Sequence, residues 1–286
     1  MRTVAELRDV VRVARAGGGR VGLVPTMGAF HEGHLSLMRR ARDVAGFVVV
    51  SLFVNPSQFN DDGDLARYPR DEARDAAMAD SVGVDVLFAP AVEEVYPPGF
   101  ATSVEVPGLS APLEGAMRGE GHFRGVATVV TKLLNMAQPD DALFGQKDAQ
   151  QALVIRRLVR DLDLPVRVEV CPTVREPDGL AMSSRNARLD QDARRRAPAI
   201  ARALRAVEAS VVGGERDVAR ALAAGASILA AAAIAPEYFA AAAADTLERV
   251  DTIAGETLVA IAAMVGGVRL IDNVLVAPSG RGAGAS

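Results

Sequence analysis

Val24-Pro25-Thr26-Met27-Gly28-Ala29-Phe30-His31-Glu32-Gly33-His34 is the stretch on which the fold turns. A short apolar run, Val21 to Val24, leads into it, and an amphipathic segment, Leu35 to Ala45, follows. That succession predicts a strand, a tight turn and a helix. Two of the chain's three histidines, His31 and His34, stand three residues apart. In the first turn of a helix both imidazoles reach an anion held by the unpaired helix amides. There an imidazole donates to phosphate oxygens and offsets charge growing on a leaving phosphate. Gly28 and Gly33 carry no side chain, so a nucleotide can approach the backbone. The plainer reading is a pair of polar surface histidines. A zinc site fits poorly, because the helical zinc-protease pattern needs histidines four apart with the glutamate beside the first. Nor does a single cysteine, Cys171, leave a cysteine pair for another zinc arrangement.

Outward from this stretch, apolar runs and amphipathic segments alternate. Phe47 to Val54 (FVVVSLFV) is continuously apolar, as in a strand buried on both faces of a parallel sheet. Val84 to Phe88, Ala142 to Phe144 and Val166 to Val170 read as further strands, and Ser103 to Val106 as a short one. Helical spacing runs through Asp64 to Val82, Val126 to Met136 and Ala149 to Asp161. Upstream, Thr3 and Glu6 form a capping box before the apolar face of Val4, Leu7, Val10, Val11 and Ala14, and Gly17-Gly18-Gly19 ends that helix. The alternation predicts an α/β fold with a Rossmann-like, doubly wound parallel sheet.

Beyond Glu176 the composition shifts to arginine- and alanine-rich helices, Asp190 to Ser210 and Glu215 to Ala233. Thr257 to Met264 and Val268 to Ile271 read as strands of a small antiparallel sheet. The expected organisation is a Rossmann-like catalytic domain over residues 1–175, a smaller α+β domain over 176–277, and a disordered Gly- and Ser-rich tail, 278–286.

The bulk composition excludes several classes. Half of the 286 residues are apolar, and 24% are charged, so a sizeable core is available. The net charge of −4 argues against a general electrostatic hold on nucleic acid. Trp is absent and Tyr scarce, so no aromatic ladder for single strands is present. The alanine-rich tract Ala221 to Pro236 is too short and too weakly hydrophobic for a membrane span. One cysteine permits no intrachain disulfide, and Arg2, Glu6, Arg8 and Asp9 leave no apolar signal core, so a cytoplasmic location is expected. No GxxxxGK[ST] and no GxSxG occurs, which removes a P-loop and a serine-hydrolase elbow.

The polar motifs fall at strand ends. Pro25-Thr26-Met27-Gly28 follows the first strand, Asn55-Pro56-Ser57-Gln58-Phe59 the second, Phe144-Gly145-Gln146-Lys147-Asp148 a later one, and Val174-Arg175-Glu176 another. In open parallel sheets ligands bind outside the carboxyl ends of the strands, so these motifs are expected to converge on one crevice. Gln58 offers an amide suited to a small hydroxy acid. Gln151, four residues after Lys147, is expected on the same helix face. Met182-Ser183-Ser184-Arg185-Asn186 lines up two hydroxyls and a guanidinium, a set suited to phosphate. The plainer readings are a loop amide, a solvated lysine and a Ser-Ser helix cap.

PTMGAFHEGH, SLFVNPSQF, DLARYPR, GHFRGVATVV, FGQKDAQQ and DGLAMSSRN together resemble the pantothenate synthetase (pantoate–β-alanine ligase) family over residues 20 to 190. The HEGH piece is also similar to the HxGH element of the wider nucleotidyltransferase superfamily. The resemblance implies a two-step ligation. ATP, with Mg2+, and pantoate give pantoyl adenylate and pyrophosphate, and β-alanine then displaces AMP to form pantothenate. It implies an ATP site made of Met27, Gly28, Ala29, Phe30, His31, Glu32, Gly33, His34, Gly145, Gln146, Lys147, Asp148, Val174, Met182, Ser183, Ser184 and Arg185. His34 is the expected proton donor to the reacting phosphate, with His31, Lys147 and Arg185 beside it in the chemistry. Gln58 and Gln151 are expected on pantoate, Gln58 also on β-alanine, and Asp75 on the metal. A homodimer is implied as well. The loop Asp245-Thr246-Leu247-Glu248 resembles one that follows a strand in the family, so Tyr238 to Ala244 is expected as a strand although alanine propensity favours helix.

Two positions depart from the family pattern. The usual YPRT reads Tyr68-Pro69-Arg70-Asp71 here, and Arg74 stands where some relatives carry an acidic residue. With Arg74 there, the metal is expected mainly on ATP oxygens and water. His122, in GHFRG, receives no role at this level. The rival readings are another HxGH-type nucleotidyltransferase with a different small acid or a phosphorylated substrate, and a non-catalytic nucleotide-binding module.

Overall fold

The computed structural model describes residues 1–60 and 62–278, which form two compact units, Met1–Val174 and a second beginning at Arg175. In the first, helix α1 (Val4–Ala16) opens with the Thr3–Glu6 capping box and precedes strand β1 (Val21–Thr26). Then follow α2 (Glu32–Val44), β2 (Phe47–Leu52), α3 (Asp62–Arg67), α4 (Glu72–Asp80), β3 (Val86–Phe88), α5 (Val92–Val95), α6 (Glu114–Arg118) and α7 (Glu120–Ala137). Strand β4 (Asp141–Gly145), α8 (Ala149–Asp161) and β5 (Arg167–Cys171) complete the unit. Single 3-10 turns occupy Pro56–Gln58 and Gln146–Asp148.

All five strands run parallel in the order β3-β2-β1-β4-β5. The apolar runs explain why. Val21, Leu23, Val24, Val48, Val49 and Val50 are all buried, successive residues included, so both faces of the sheet are covered. Helix α2 packs Leu35, Met38 and Ala41 on one face against Val24, Val50 and Leu143. The strand order reverses between β1 and β4, which makes the carboxyl ends of those two strands the topological switch point.

Several elements differ from the sequence reading. Asp64 to Val82 is two helices, α3 and α4, because Tyr68-Pro69-Arg70 interrupts it. A proline clashes with the helical conformation of the residue before it. Asp71 then caps α4 by accepting from the Arg74 amide at 3.0 Å. An acidic residue in place of threonine therefore keeps a capping side chain. Ser103 to Val106 joins no ladder; the Val104 amide donates instead to the Thr128 hydroxyl at 2.9 Å. The helix expected over Val126 to Met136 begins earlier, at Glu120.

The second unit has its own core. The segment expected as one helix over Asp190 to Ser210 is α9 (Gln191–Arg196) and α10 (Ala199–Val212), divided at Pro198, and α11 (Val218–Ala231) follows. Strands β6 (Pro236–Ala243), β7 (Thr257–Val265) and β8 (Val268–Val276) form an antiparallel sheet in that order. The alanine-rich segment is thus a strand, because pairing with Thr257 to Ala263 of β7 overrides alanine's helical preference. Ile200, Leu204, Val207, Leu229, Val259 and Ile261 fill the space between helices and sheet. Of the expected tail, all but Pro278 lies outside the described residues. No helix among the described residues is long and apolar enough to cross a membrane.

Candidate active site

Strand β1 ends on a hydrogen-bonded step. The Thr26 hydroxyl donates to the Ser51 carbonyl at 2.5 Å, and the Thr26 amide donates to the Ser51 hydroxyl at 3.2 Å. The chain then turns through two left-handed residues, Gly28 (φ 84°) and Ala29 (φ 54°). Ala29 has a Cβ and adopts this conformation at a cost, so something must hold it. Asp75, from α4, does so. Its carboxylate is 1% exposed and accepts from the amides of Ala29 at 2.7 Å and Phe30 at 2.8 Å.

His31 is the N-cap of α2 and His34 its third residue. The Nδ1 of His31 accepts from the Gly33 amide at 3.1 Å, and the Nδ1 of His34 accepts from the His31 amide at 3.3 Å. A ring nitrogen that accepts carries no proton, so in each neutral imidazole the hydrogen sits on Nε2. The rings lie 4.2 Å apart, with Phe30 5.5 Å from His34. Burial, and then the neighbouring His31 and Lys147, hold the His34 imidazolium pKa down to about 3. His34 is therefore a neutral donor through Nε2 at ordinary pH, rather than a protonated acid.

Lys147 sits in the 3-10 turn after β4, its ammonium 3.9 Å from the Asp148 carboxylate. It follows the carboxyl end of β4, which neighbours β1 at the switch point. Gln151 lies half-buried in the first turn of α8. The i, i+4 relation expected between them does not hold, since α8 begins only at Ala149.

Beyond β2, Gln58 is set by a network that sequence reading missed. Its Oε1 accepts from the Asn55 amide at 3.0 Å, and its Nε2 lies 2.9 Å from the Met27 sulfur. Asn55 is 1% exposed and receives the Tyr96 hydroxyl at 2.8 Å. His122 also touches this turn, 2.8 Å from the Gln58 carbonyl. A carbonyl only accepts, so Nδ1 of His122 carries the proton. Burial, with Arg118 nearby, brings the His122 pKa down to about 4. The signal for Asn55 was its place three residues before Gln58; nothing in the sequence connected Tyr96 or His122 to it.

Asp75 does not match the expected metal role. Both of its oxygens serve backbone amides, and among the described residues no three His, Cys, Asp or Glu side chains form a metal-binding group. The donor set does not fit a protein-held magnesium ion.

Val174 closes the first unit, just past β5. Met182 to Arg185 belong to the second, where Ser183 caps a 3-10 turn by accepting from the Arg185 amide at 3.2 Å. Asn186 ties this segment to Glu176 at 2.7 Å and to the Ala181 carbonyl at 3.0 Å.

Known proteins match this arrangement along nearly the whole chain. The family model described as pantoate-beta-alanine ligase covers residues 1–275. A pantothenate synthetase of Cereibacter sphaeroides is 56% identical over 277 residues, 96% of this chain and 99% of the relative. One from Roseiflexus castenholzii is 52% identical over the same shares of both chains. A crystal structure of pantothenate synthetase from Thermus thermophilus superposes with a TM-score of 0.91 at 49% identity, covering 97% of this chain and 99% of that one. A pantoate-beta-alanine ligase from Francisella tularensis, complexed with beta-gamma ATP and beta-alanine, gives 0.78 at 33% identity, covering 96% of each chain. With the doubly wound sheet, the paired histidines and these matches in agreement, the chain belongs to the pantoate–β-alanine ligase family.

Proposed function

We propose that the chain joins pantoate to β-alanine at the expense of ATP, through a pantoyl adenylate. The observation that carries the chemistry is the pair of imidazoles at the start of α2, each with Nδ1 accepting from a backbone amide so that the N–H lies on Nε2, with Lys147 acting on His34. A pantoate carboxylate oxygen attacks the α-phosphorus, the bond to the β-phosphate breaks, and pyrophosphate leaves. His31 and His34 donate through Nε2–H to phosphate oxygens that gain charge in that step, and the Lys147 ammonium neutralises it further. The amide ends of α2 add their partial positive charge. No proton needs to move from His34; its contribution is a fixed, preorganised donor.

Met27 to His34, Gly145 to Asp148 and Val174 are assigned to ATP, as are Met182, Ser183, Ser184 and Arg185 from the second unit. Gln58 and Gln151 hold pantoate, and Gln58 also meets β-alanine. Asn55 occupies Oε1 of Gln58 and the Met27 sulfur takes one amide hydrogen, so the other is the one proposed to face a substrate oxygen. The β-alanine amine then attacks the acyl carbon, the bond to AMP breaks, and the amine loses a proton. Magnesium enters with ATP as part of that substrate. A cytoplasmic homodimer is included in the proposal; the free Cys171 thiol agrees with a reducing compartment, and sedimentation tests the dimer.

Product analysis tests this reading. ATP, pantoate and β-alanine should yield AMP and pantothenate in equal amounts. ADP and inorganic phosphate in their place would point to an acyl phosphate and contradict the adenylate.

A further inference from the structure

The turn before α2 is held from one side by two consecutive residues of α4. Asp75 accepts from the amides of Ala29 and Phe30, at 2.7 and 2.8 Å. Arg74 donates from its guanidinium to the Phe30 carbonyl at 3.3 Å. Donors and acceptors of Phe30 are thus both engaged by neighbouring side chains of one helix. The Asp75 carboxylate also packs against Gly28, where a Cβ would stand 2.9 Å from Oδ2. The turn needs such a hold, because Ala29 is left-handed without being glycine. What the turn delivers is the His31 amide, which fixes the tautomer of His34.

We propose that Arg74 and Asp75 form a clamp that sets the turn carrying His31 and His34, and that Asp75 acts on the reaction by positioning and not by binding magnesium. Arg74 supplies the donor to the Phe30 carbonyl, which an acidic side chain there could not do. Asp75 is 1% exposed and each of its oxygens already accepts an amide hydrogen, so a magnesium ion would compete with the two bonds that hold the turn. An alternative metal role would leave at least one carboxylate oxygen facing an open, oxygen-rich site.

Asp75→Asn tests this, because it keeps the size while turning an NH2 group against one of the two amides. The inference rests on the adenylating reading for its kinetic arm only. The expected result is a fall of about 10²-fold in the kcat of pantoate-dependent pyrophosphate release, the usual cost of an ångström-scale misplacement. The pantoate KM and the magnesium concentration for half-maximal rate should both stay within about twofold of wild type, since Asn55 and not Asp75 holds Gln58, and Asp75 is not a ligand of the metal. Amide hydrogen exchange at Ala29 and Phe30, read without any substrate, should accelerate in the variant. A magnesium half-saturation raised about tenfold or more, with activity restored by added magnesium, would overturn the clamp in favour of a ligand. So would wild-type kcat together with unchanged exchange. If Asp75→Asn does not fold, Arg74→Ala takes its place: faster exchange at Phe30 and His31 with a reduced kcat supports the clamp, and no change in either overturns it. A wild-type protein without pantoate-dependent pyrophosphate release would sink the adenylating reading while leaving the exchange result to decide the clamp.

Discussion

At His34 the backbone decides which ring nitrogen carries the proton. The His31 amide points at Nδ1, so Nε2–H is the end left for a ligand. Its lowered pKa has a sign that can be checked. Protonation belongs below about pH 3, so pantoate-dependent adenylation should show no histidine inflection near 6.5 that disappears in a His34 variant. A fall with a midpoint near 6.5, lost in that variant, would contradict the neutral donor. His34→Ala should lower adenylation about 10²–10³-fold, the usual cost of one preorganised donor, and His34→Gln should recover part of it through its amide. The same shifts act on stability. His34 and His122 bind protons more readily in the unfolded chain, so stability falls as pH drops from about 6.5 toward 3 to 4. Urea midpoints measured down that range should decline, and the decline should weaken when His122 is replaced by an untitratable side chain.

At the level of elements, close approaches set the turn that is proposed to hold pantoate. Helix α7 passes the Pro56–Gln58 turn at Gly125, where a Cβ would overlap the Ser57 carbonyl and stand 2.8 Å from the Gln58 amide. Gly125→Ala should therefore push Gln58 away and raise the pantoate KM about tenfold or more, with a smaller effect on the ATP KM. Equal changes in both would disconnect Gln58 from pantoate. Gln150 plays a comparable part on α8. It donates to the carbonyls of Leu109 and Pro112 and accepts from the Glu114 amide, all within 3.0 Å. These bonds anchor a segment in which Leu113 is left-handed. Gln150→Leu should cost about 2–4 kcal/mol in urea unfolding, because buried backbone groups lose their partners. The strands of the two sheets, α1 with its capping box, and the histidine turn were legible because periodicity and capping are local properties, whereas Ser103 to Val106 was read as a strand and joins no ladder. The break at Tyr68-Pro69-Arg70 was marked by its proline yet carried across as one helix. The roles of Asn55, Tyr96 and Gln150 were not legible, since their partners come from segments brought together only by the sheet order.

On the scale of the whole molecule, the alternation of apolar and amphipathic segments was enough to give the doubly wound class, since a parallel sheet buries both faces and demands continuous apolar strands. The order β3-β2-β1-β4-β5 was not written in any one segment; it follows from how the crossovers pack. The alanine-rich β6 shows the same limit, because only its pairing with β7 overcomes intrinsic preference. The chain's one cysteine is buried and unpaired, so reductant should leave the melting temperature unchanged. Adenylation of pantoate before the amine attacks is tested most directly by pyrophosphate release from MgATP, with and without β-alanine. The adenylate route predicts a pantoate-dependent burst of about one equivalent per site without β-alanine, and sustained turnover with AMP once it is added. Release that ignores pantoate, or that needs β-alanine before any pyrophosphate appears, would contradict it.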